Sequence, residues 1–543
     1  MMAEKPNMES YEKTCREFKW VVPEFYNFGF DTIDKWAEKK PEKTALISVE
    51  SDCVNHKKHS FNDLKEQSNR FANVLLSLGV KKGDRVLLML PRIPEWYFCV
   101  IGAIKAGAIF IPTTIMSTEK DLEFRLDKSG ASIVVTDTEN ADKIDAVAGK
   151  APSLKRKVIV GGKKDGWISF DEEMAKAPKE IKNPAKTKSS DPMLVYFTSG
   201  TESYPKMVLH EQKYALGHEV TARFAQDLTE EDVHWTIADT GWAKTAWGKL
   251  FGQWIVGCTV LQFNQKGKFD ADTALGIIQR FNVTTFCAPP TVYRMMILKE
   301  GLKNCNFGNL RHCMSAGEPL NPEVIKVWKE ATGTTIHDFY GQTETVCLIS
   351  NYLCMPIRHG SMGKPTPGHV VDIVGEEGNP VPVEKEGLIA VRTEPIRPPG
   401  LFREYWQDKE KNESVFRKGW YFTGDKAYKD KDGYFWFVGR ADDVIKASGY
   451  RIGPFEVESV LIEHPAVAEA AVVGHPDPVR GTVVKAFIIL APGFKGSDKL
   501  TGEIQEFVKK QTAPYKYPRI IEYVKELPKT ISGKIRRAEL RKR

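Results

Sequence analysis

Between residues 60 and 135 the chain switches repeatedly between two hydrophobic periods, and that alternation excludes most folds. Ser60-Phe61-Asn62-Asp63-Leu64 reads as a helix start ahead of Leu64, Phe71 and Leu75. Arg85-Val86-Leu87-Leu88-Met89-Leu90 reads as a buried strand. After an intervening helix, Ile109-Phe110-Ile111 and Ala131-Ser132-Ile133-Val134-Val135 are further short apolar runs. Strand, helix and strand in succession predict a largely parallel sheet covered by helices, because parallel neighbours need a crossover. The pattern returns at 283–288. After Gly360 short β-type runs separated by Gly, Pro and Asp replace the long helices, as in Gly387-Leu388-Ile389-Ala390-Val391-Arg392. Asp432-Gly433, lying between Ala427-Tyr428 and Phe435-Trp436-Phe437-Val438, predicts a hairpin. Past it a fresh α+β pattern begins, with residues 456–463 helical and 467–473 and 484–490 as strands. The expected class is α/β. A large amino-terminal body of several subdomains, 1–440, has mixed sheets covered by helices and a β-rich part. A small α+β carboxy-terminal domain spans 441–543. With 543 residues the chain is long enough for several cores. Residues 161–191, rich in lysine, read as a surface connection.

The formal net charge is +7, and residues 441–543 hold 18 Lys and Arg against 13 Asp and Glu. A basic carboxy-terminal unit suits nucleic acid, an acidic membrane surface or a phosphorylated cofactor. No basic run is interleaved with stacking aromatics, so no nucleic-acid partner is expected. Residues 96–116 form the longest apolar stretch. Lys105, Gly107 and Pro112 interrupt it, which predicts a buried helix followed by a strand and no membrane span. The nine cysteines show no CxxC and no dense framework, and the amino terminus lacks the apolar core of a signal peptide. Reduced thiols and no secretory signal predict a cytoplasmic protein.

Five short segments carry chemistry. Thr198, Ser199, Gly200, Thr201, Glu202, Ser203, Tyr204, Pro205 and Lys206 follow an apolar strand. Hydroxyl and backbone donors near a lysine are what polyphosphate oxygens need. It is not a Walker A loop, which places a second glycine directly before Lys-Ser/Thr. Asp338-Phe339-Tyr340-Gly341-Gln342-Thr343-Glu344 follows a second predicted strand. Tyr340 offers a flat face to a purine, Thr343 a hydrogen bond to phosphate or carboxylate oxygen, and Glu344 a hard ligand for magnesium. A capped helix start, with Thr343 or Thr345 as cap, is the structural alternative. Ser315-Ala316-Gly317-Glu318-Pro319 is placed to form a main-chain wall against adenine. Asp425 and Arg440 bracket the hairpin, where a carboxylate accepts ribose hydroxyls and a guanidinium reaches ribose or phosphate. Lys534, in Ser532-Gly533-Lys534, is a long cation on a loop, able to enter another domain's cleft.

These segments, in this order and over nearly the whole chain, resemble the adenylate-forming superfamily of acyl-CoA synthetases, luciferases and adenylation domains. The chain looks most like the medium-chain acyl-CoA synthetases. Asp239-Thr240-Gly241-Trp242, Ala288-Pro289-Pro290, Tyr421-Phe422-Thr423-Gly424-Asp425, Gly439-Arg440-Ala441-Asp442-Asp443 and Ser448-Gly449-Tyr450-Arg451 carry the resemblance further. It implies a two-step reaction using ATP, magnesium and CoA on a small-molecule carboxylate. An acyl-adenylate forms with loss of pyrophosphate, a mobile small domain turns, and CoA takes the acyl group with loss of AMP. Residues 198–206 would hold polyphosphate. Gly317, Glu318, Pro319, Asp338, Phe339, Tyr340, Gly341 and Gln342 would enclose the nucleotide. Thr343 would bind α-phosphate or carboxylate oxygen, Glu344 magnesium, and Asp425 and Arg440 ribose. Lys534 would catalyse adenylation, and Asp442 matches the hinge. Ser448, Gly449, Tyr450, Arg451 and Arg480, with Lys516 and Tyr517, match the surface that meets CoA. A homodimer is expected by family analogy only.

Two features bear on the activity. Glu202-Ser203-Tyr204 stands where most relatives have a second glycine, and Glu202 adds negative charge near the polyphosphate. That keeps open a nucleotide sensor that binds ATP without consuming it. Gly341 stands where acetate-specific relatives have a tryptophan closing the acyl pocket, so space for a medium-chain or branched acid is expected there. Trp242 and the segment 242–249 are expected to line the site, with Lys244 and Lys249 facing solvent or CoA or recognising a polar substrate. An aryl-CoA ligase, a carrier-loading enzyme and a luciferase-like oxygenase are the other readings.

Overall fold

The computed structural model describes residues 5–543 apart from 199–204, 319, 442, 448–449, 478–480 and 531–533, and at 446, 450, 451 and 514 only the backbone. The alternation of residues 60–135 folds as expected. Helix Phe61–Ser77 begins with a capping box in which Ser60 and Asp63 satisfy each other's backbone N–H groups, and it buries Leu64, Phe71 and Leu75. Strand Arg85–Met89, helix Pro94–Lys105 and strand Ile109–Pro112 follow. Every residue from Trp96 to Lys105 is buried, so the long apolar stretch is core helix plus strand. Among the described residues no helix is long and apolar enough to cross a membrane.

Two large mixed sheets make up the body. Among the described residues one has eight strands and the other nine. The eight-stranded sheet is parallel through strands Arg85–Met89, Ile109–Pro112, Ile133–Asp137, Arg156–Val160, Ile168–Ser169 and Pro192–Thr198. It turns antiparallel at Lys206–Glu211 and Glu404–Tyr405. The nine-stranded sheet is parallel from Thr44–Val49 through Thr259–Phe263, Val233–Thr236, Thr285–Ala288 and His312–Ala316 to Ile336–Tyr340. Both of its edges are antiparallel. A five-stranded antiparallel sheet follows Gly360, with the expected hairpin formed by Trp420–Lys429 and Phe435–Arg440. Residues 161–191 hold more than a connection: helix Phe170–Lys176 buries Phe170 and Met174.

Beyond Arg440 the apolar core is separate. Ile445, Ile452, Val457, Leu461, Val472, Val484, Ile488, Ile504 and Val508 pack together. Three strands, Val467–Asp477, Gly481–Leu490 and Ile520–Tyr523, form the sheet there.

Charge is also buried in the body. The Lys105 ammonium, with no exposed surface, donates to Asp34 Oδ1 at 2.6 Å and to Asn69 Oδ1 at 2.7 Å. Burial lowers its pKa to about 8, against the opposing pull of Asp34. Removing one member of such a pair strands the other in low dielectric, so Asp34→Ala is expected to cost about 3–5 kcal/mol. Denaturant unfolding checks this, and adding Lys105→Met to Asp34→Ala should recover a large part of the loss. Equal losses in the single and double variants would mean that packing, not charge, makes the site sensitive.

Candidate active site

The loop after strand Ile336–Tyr340 touches all three sheets of the body, and each contact is made by a residue that the sequence singles out. Its strand belongs to the nine-stranded sheet. Toward the five-stranded sheet, Gln342 Nε2 donates to Asp425 Oδ2 at 2.6 Å and to Thr423 O at 3.0 Å, while Tyr421 OH donates to Gln342 Oε1 at 2.9 Å. Tyr340 OH donates to the same Asp425 oxygen at 2.5 Å. Toward the eight-stranded sheet, Thr343 O accepts from His210 Nε2 at 2.9 Å, and Glu344 Oε1 accepts from Tyr405 OH at 2.8 Å. Phe402 N donates to Glu344 O at 2.8 Å, closing the junction. Burial holds the His210 pKa near 3, so a neutral ring donates to the carbonyl. No helix follows this loop. Thr345 Oγ1 accepts instead from Gln342 N at 2.9 Å, closing a turn.

Asp425 and Arg440 are register partners across the hairpin, and the guanidinium donates to Asp425 Oδ1 at 3.1 Å. Asp425 is buried and Arg440 exposed, so the pair has a fixed carboxylate and a solvent-facing cation. Thr198 and Lys206 are likewise register partners, at the ends of the antiparallel strands Pro192–Thr198 and Lys206–Glu211. Lys206 Nζ lies 5.6 Å from the centroid of the Tyr405 ring, the ring whose hydroxyl binds Glu344. A cation and a carboxylate therefore flank one tyrosine beside the root of the expected phosphate loop. Between Thr198 and Pro205, the residues Ser199, Gly200, Thr201, Glu202, Ser203 and Tyr204 lie outside the described residues, as do Pro319, Asp442, Ser448, Gly449, Arg480, Ser532 and Gly533.

Phe339 is buried beside Trp247, their rings 5.8 Å apart and stacked. Gly317 has φ +102°, a conformation that favours glycine, and a Cβ there would meet Lys244 Nζ at 2.9 Å. Glu318 lies 3.7 Å from Arg294. The Lys244 ammonium donates to Ala316 O at 2.8 Å. Burial lowers its pKa; Glu318 and Asp338 pull the other way, and the charge of Lys534 adds to the depression. Lys534 lies exposed in the carboxy-terminal unit. The Asp338 carboxyl is pushed up to about 8 by burial, against the N–H groups of Leu320 and Phe339 and the charge of Lys244.

Two expectations change. The space beside Gly341 is not open: a Cβ there would lie 2.3 Å from Cη2 of Trp247 and 2.5 Å from Val346 O. Glycine lets the indole approach the loop. Lys249 faces neither solvent nor CoA. It is fully buried and donates to Ala238 O at 2.7 Å and Gln262 Oε1 at 2.9 Å, with its pKa held well below the usual range by burial. Trp242, half-buried, precedes helix Ala243–Lys249, which places Trp247 on the helix and Trp242 at its mouth. Lys516 Nζ pairs with Glu456 at 2.6 Å, and Tyr517 lies between Lys509 and Arg519, 4.3 and 4.9 Å from its ring centroid. The backbone of Tyr450 and Arg451 opens strand Tyr450–Ile452. Tyr405 was not singled out from the sequence, because a two-residue strand has no periodicity to read.

Among the described residues no group of three or more His, Cys, Asp or Glu forms a metal cage. Glu344, held by Tyr405, is a carboxylate that would hold a magnesium ion, which would supply charge neutralisation to phosphate.

A family model described as "AMP-binding enzyme" matches residues 33–406, and one described as "AMP-binding enzyme C-terminal domain" matches 456–534. The chain belongs to the AMP-binding enzyme family. Acyl-coenzyme A synthetase ACSM3, mitochondrial, of Homo sapiens is 45% identical over 547 residues, covering 99% of this chain and 93% of the relative. Acyl-coenzyme A synthetase ACSM4, mitochondrial, of Rattus norvegicus is 46% identical over 96% of this chain and 91% of the relative. The solved structure of the anthranilate CoA ligase AuaEII in complex with anthranoyl-AMP superposes with TM-score 0.88 at 33% identity, over 96% of this chain and 98% of that one. A benzoate CoA ligase from Burkholderia xenovorans LB400 superposes with TM-score 0.84 at 28% identity, covering 95% of this chain and 100% of that one. The α/β class with a carboxy-terminal domain is the fold of these ligases. The expectation of a cytoplasmic protein is overturned, since the curated relatives named here are mitochondrial. Reduced cysteines separate oxidising from reducing compartments and do not distinguish cytosol from an organelle interior.

The Asp338 carboxyl has a pH consequence. Its folded pKa lies above the unfolded value near 4, so the folded state holds the extra proton. Stability from this group is full below about pH 4 and is lost as the pH rises to about 8, then flat. Unfolding midpoints of wild type and Asp338→Asn between about pH 5 and 9 check this. Wild type should lose ground to the variant up to about pH 8 and no further; a constant gap would mean the carboxyl is ionised throughout.

Proposed function

We propose that this chain is an AMP-forming acyl-CoA synthetase acting on a medium-chain or branched carboxylic acid, with residues 1–440 binding ATP and acid and residues 441–543 forming a mobile domain that carries Lys534 and the CoA face. The observation that supports it is the junction at residues 340–344, where Tyr340 and Gln342 bind Asp425, Thr343 O and Glu344 bind His210 and Tyr405, Arg440 pairs with Asp425, and Lys206 lies against the Tyr405 ring. In the first step a carboxylate oxygen of the acid bonds to the α-phosphorus of ATP, and the bond from that phosphorus to the bridging oxygen breaks, releasing pyrophosphate. Asp425 and Arg440 hold the ribose. Lys206 faces the polyphosphate, and Thr343 orients the attacking carboxylate. Lys534 supplies positive charge where negative charge gathers between carboxylate and α-phosphate. Glu344 is the residue that would hold magnesium, which when bound neutralises phosphate charge. In the second step the CoA sulfur bonds to the acyl carbon, the carbon–oxygen bond to AMP breaks, and the thiol proton is lost to solvent. The basic carboxy-terminal unit suits the CoA phosphates, and Tyr517 with Lys509 and Arg519 offers a cationic aromatic surface for them.

Product analysis with ATP, magnesium and acids from acetate to decanoate, plus 2-methylbutyrate and benzoate, tests this reading. AMP and pyrophosphate with a CoA-dependent thioester are expected, with acids longer than acetate preferred. Preference for benzoate would make it an aryl ligase, and ATP binding without AMP release a sensor. Lys534→Ala should abolish adenylate formation and leave thioester formation from supplied acyl-adenylate largely intact; equal loss of both would remove its assigned role.

The position of Trp247 against Gly341 makes the acyl preference adjustable. Trp247→Ala frees the volume that the indole fills. The ratio of kcat/KM for octanoate to that for butyrate should rise about tenfold or more, since each added methylene contributes binding where space exists. An unchanged ratio would place the acyl chain elsewhere.

A further inference from the structure

Two arginines beyond Lys534 join the loop that carries it to the connection between the two parts of the chain. Asp443, three residues past Arg440, is about nine-tenths buried, and its Oδ1 accepts from Arg541 Nη1 at 2.8 Å. Arg537 approaches the same carboxylate at 4.0 Å and donates to both oxygens of Glu458 at 2.7 Å. Glu458, itself buried, also accepts from Val472 N at 2.8 Å. The connection past Arg440, helix Pro454–Glu463, strand Val467–Asp477 and helix Arg537–Leu540 are therefore one charge-paired block.

Lys534 hangs from that block. Thr530 N donates to Lys534 O at 2.7 Å, Lys534 N to Thr530 Oγ1 at 3.1 Å and Arg536 N to Pro528 O at 2.8 Å. An isolated bridge pairs Lys529 with Ile535. The leg leaving this closed loop runs directly into Arg537. On the other side of the connection the pairing belongs to the body: Arg440 to Asp425 at 3.1 Å, and Ala441 N to Gly424 O at 3.0 Å. Among the described residues Asp443 N and Val444 N both donate to the one oxygen of Arg440, and Asn321 Nδ2 of the body donates to Ser459 O of helix Pro454–Glu463 at 3.1 Å. A rotation there disturbs the Arg440 carbonyl and the Asn321 contact and leaves these named charge pairs whole. The Arg537–Glu458 pair is largely buried and resists separation, while the Arg541–Asp443 bond, open on its arginine side, adds a second tie between tail and connection.

We propose that Arg541 and Arg537 are positioning residues that lock the Lys534 loop to the connection through Asp443 and Glu458, so that the lysine swings as a rigid part of the small domain and arrives at the cleft in register. This rests on the acyl-CoA synthetase reading. It goes beyond it in assigning to the tail beyond Lys534 the task of setting where the lysine lands.

The test uses the full chain, octanoate as acid, and the two half-reactions separately: ATP–pyrophosphate exchange, and thioester formation from supplied octanoyl-adenylate and CoA. Arg541→Gln should lower the kcat of exchange about tenfold, as displacement of a catalytic group does, with KM for ATP and the thioester rate within about twofold. Arg541→Lys should restore most of the exchange rate, because it keeps the charge facing Asp443. Asp443→Asn should give the same split, and the double variant Asp443→Asn with Arg541→Gln should be no worse than either single change, the signature of one shared interaction. Unfolding midpoints near that of wild type in Arg541→Gln separate positioning from loss of fold. Exchange unaffected by Arg541→Gln, an equal fall in both half-reactions, or additive losses in the double variant would each overturn the proposal. Absence of exchange in wild type with every acid would overturn the acyl-CoA synthetase reading itself.

Discussion

Asp425 is the interaction on which the site depends. Its two oxygens accept from Tyr340, at the end of a strand of the nine-stranded sheet, from Gln342 in the loop that follows, and from Arg440 across its own hairpin. A buried carboxylate is costly unless its lone pairs are filled, and here three donors from two sheets fill them. The two sheets are thereby fixed in mutual position. With His210 and Tyr405 holding Thr343 and Glu344 to the third sheet, the loop 341–344 becomes a rigid junction. Rigidity is what electrostatic catalysis requires, because donors fixed before the reaction need no reorganisation during it.

The same economy governs the buried lysines. Lys105 is paired with Asp34, whereas Lys249 has only neutral acceptors and Lys244 a carbonyl oxygen close by. Desolvation lowers all three pKa values. Lys105 and Lys249 tie elements of the body together. Lys244 donates to Ala316 O, and the charge of Lys534 adds to the depression that burial causes while Asp338 opposes it. Trp247 adds a second constraint: it stacks on Phe339 and presses against Gly341, so these three residues are one packed unit.

Much of the architecture was legible in local pattern. Ser60 and Asp63 announce a helix, Asp432-Gly433 a hairpin, and the alternation around 85–135 a parallel sheet, because each is decided by backbone geometry within a few residues. Tyr340, Asp425 and Arg440, singled out by the motifs, are hydrogen-bonded together, and Thr343 and Glu344 share the adjoining loop. The helix at Phe170–Lys176 was masked by surrounding lysines, and Tyr405 by the shortness of its strand. Reading Gly341 as empty space failed for a related reason: a glycine reports that something comes close, and the sequence does not say what.

The sequence by itself determined the two periodicities, the turn residues, the order of the motifs and the family they belong to, since all of these reside in neighbouring side chains. Tertiary structure decided which partners fill those positions. Trp247 occupies the volume that Gly341 leaves. Tyr405 brings Lys206 and Glu344 to one ring, and Arg541 finds Asp443 from nearly a hundred residues away. Such contacts depend on how sheets cross and where chain ends return, and the free energy that selects them is a property of the whole packed core.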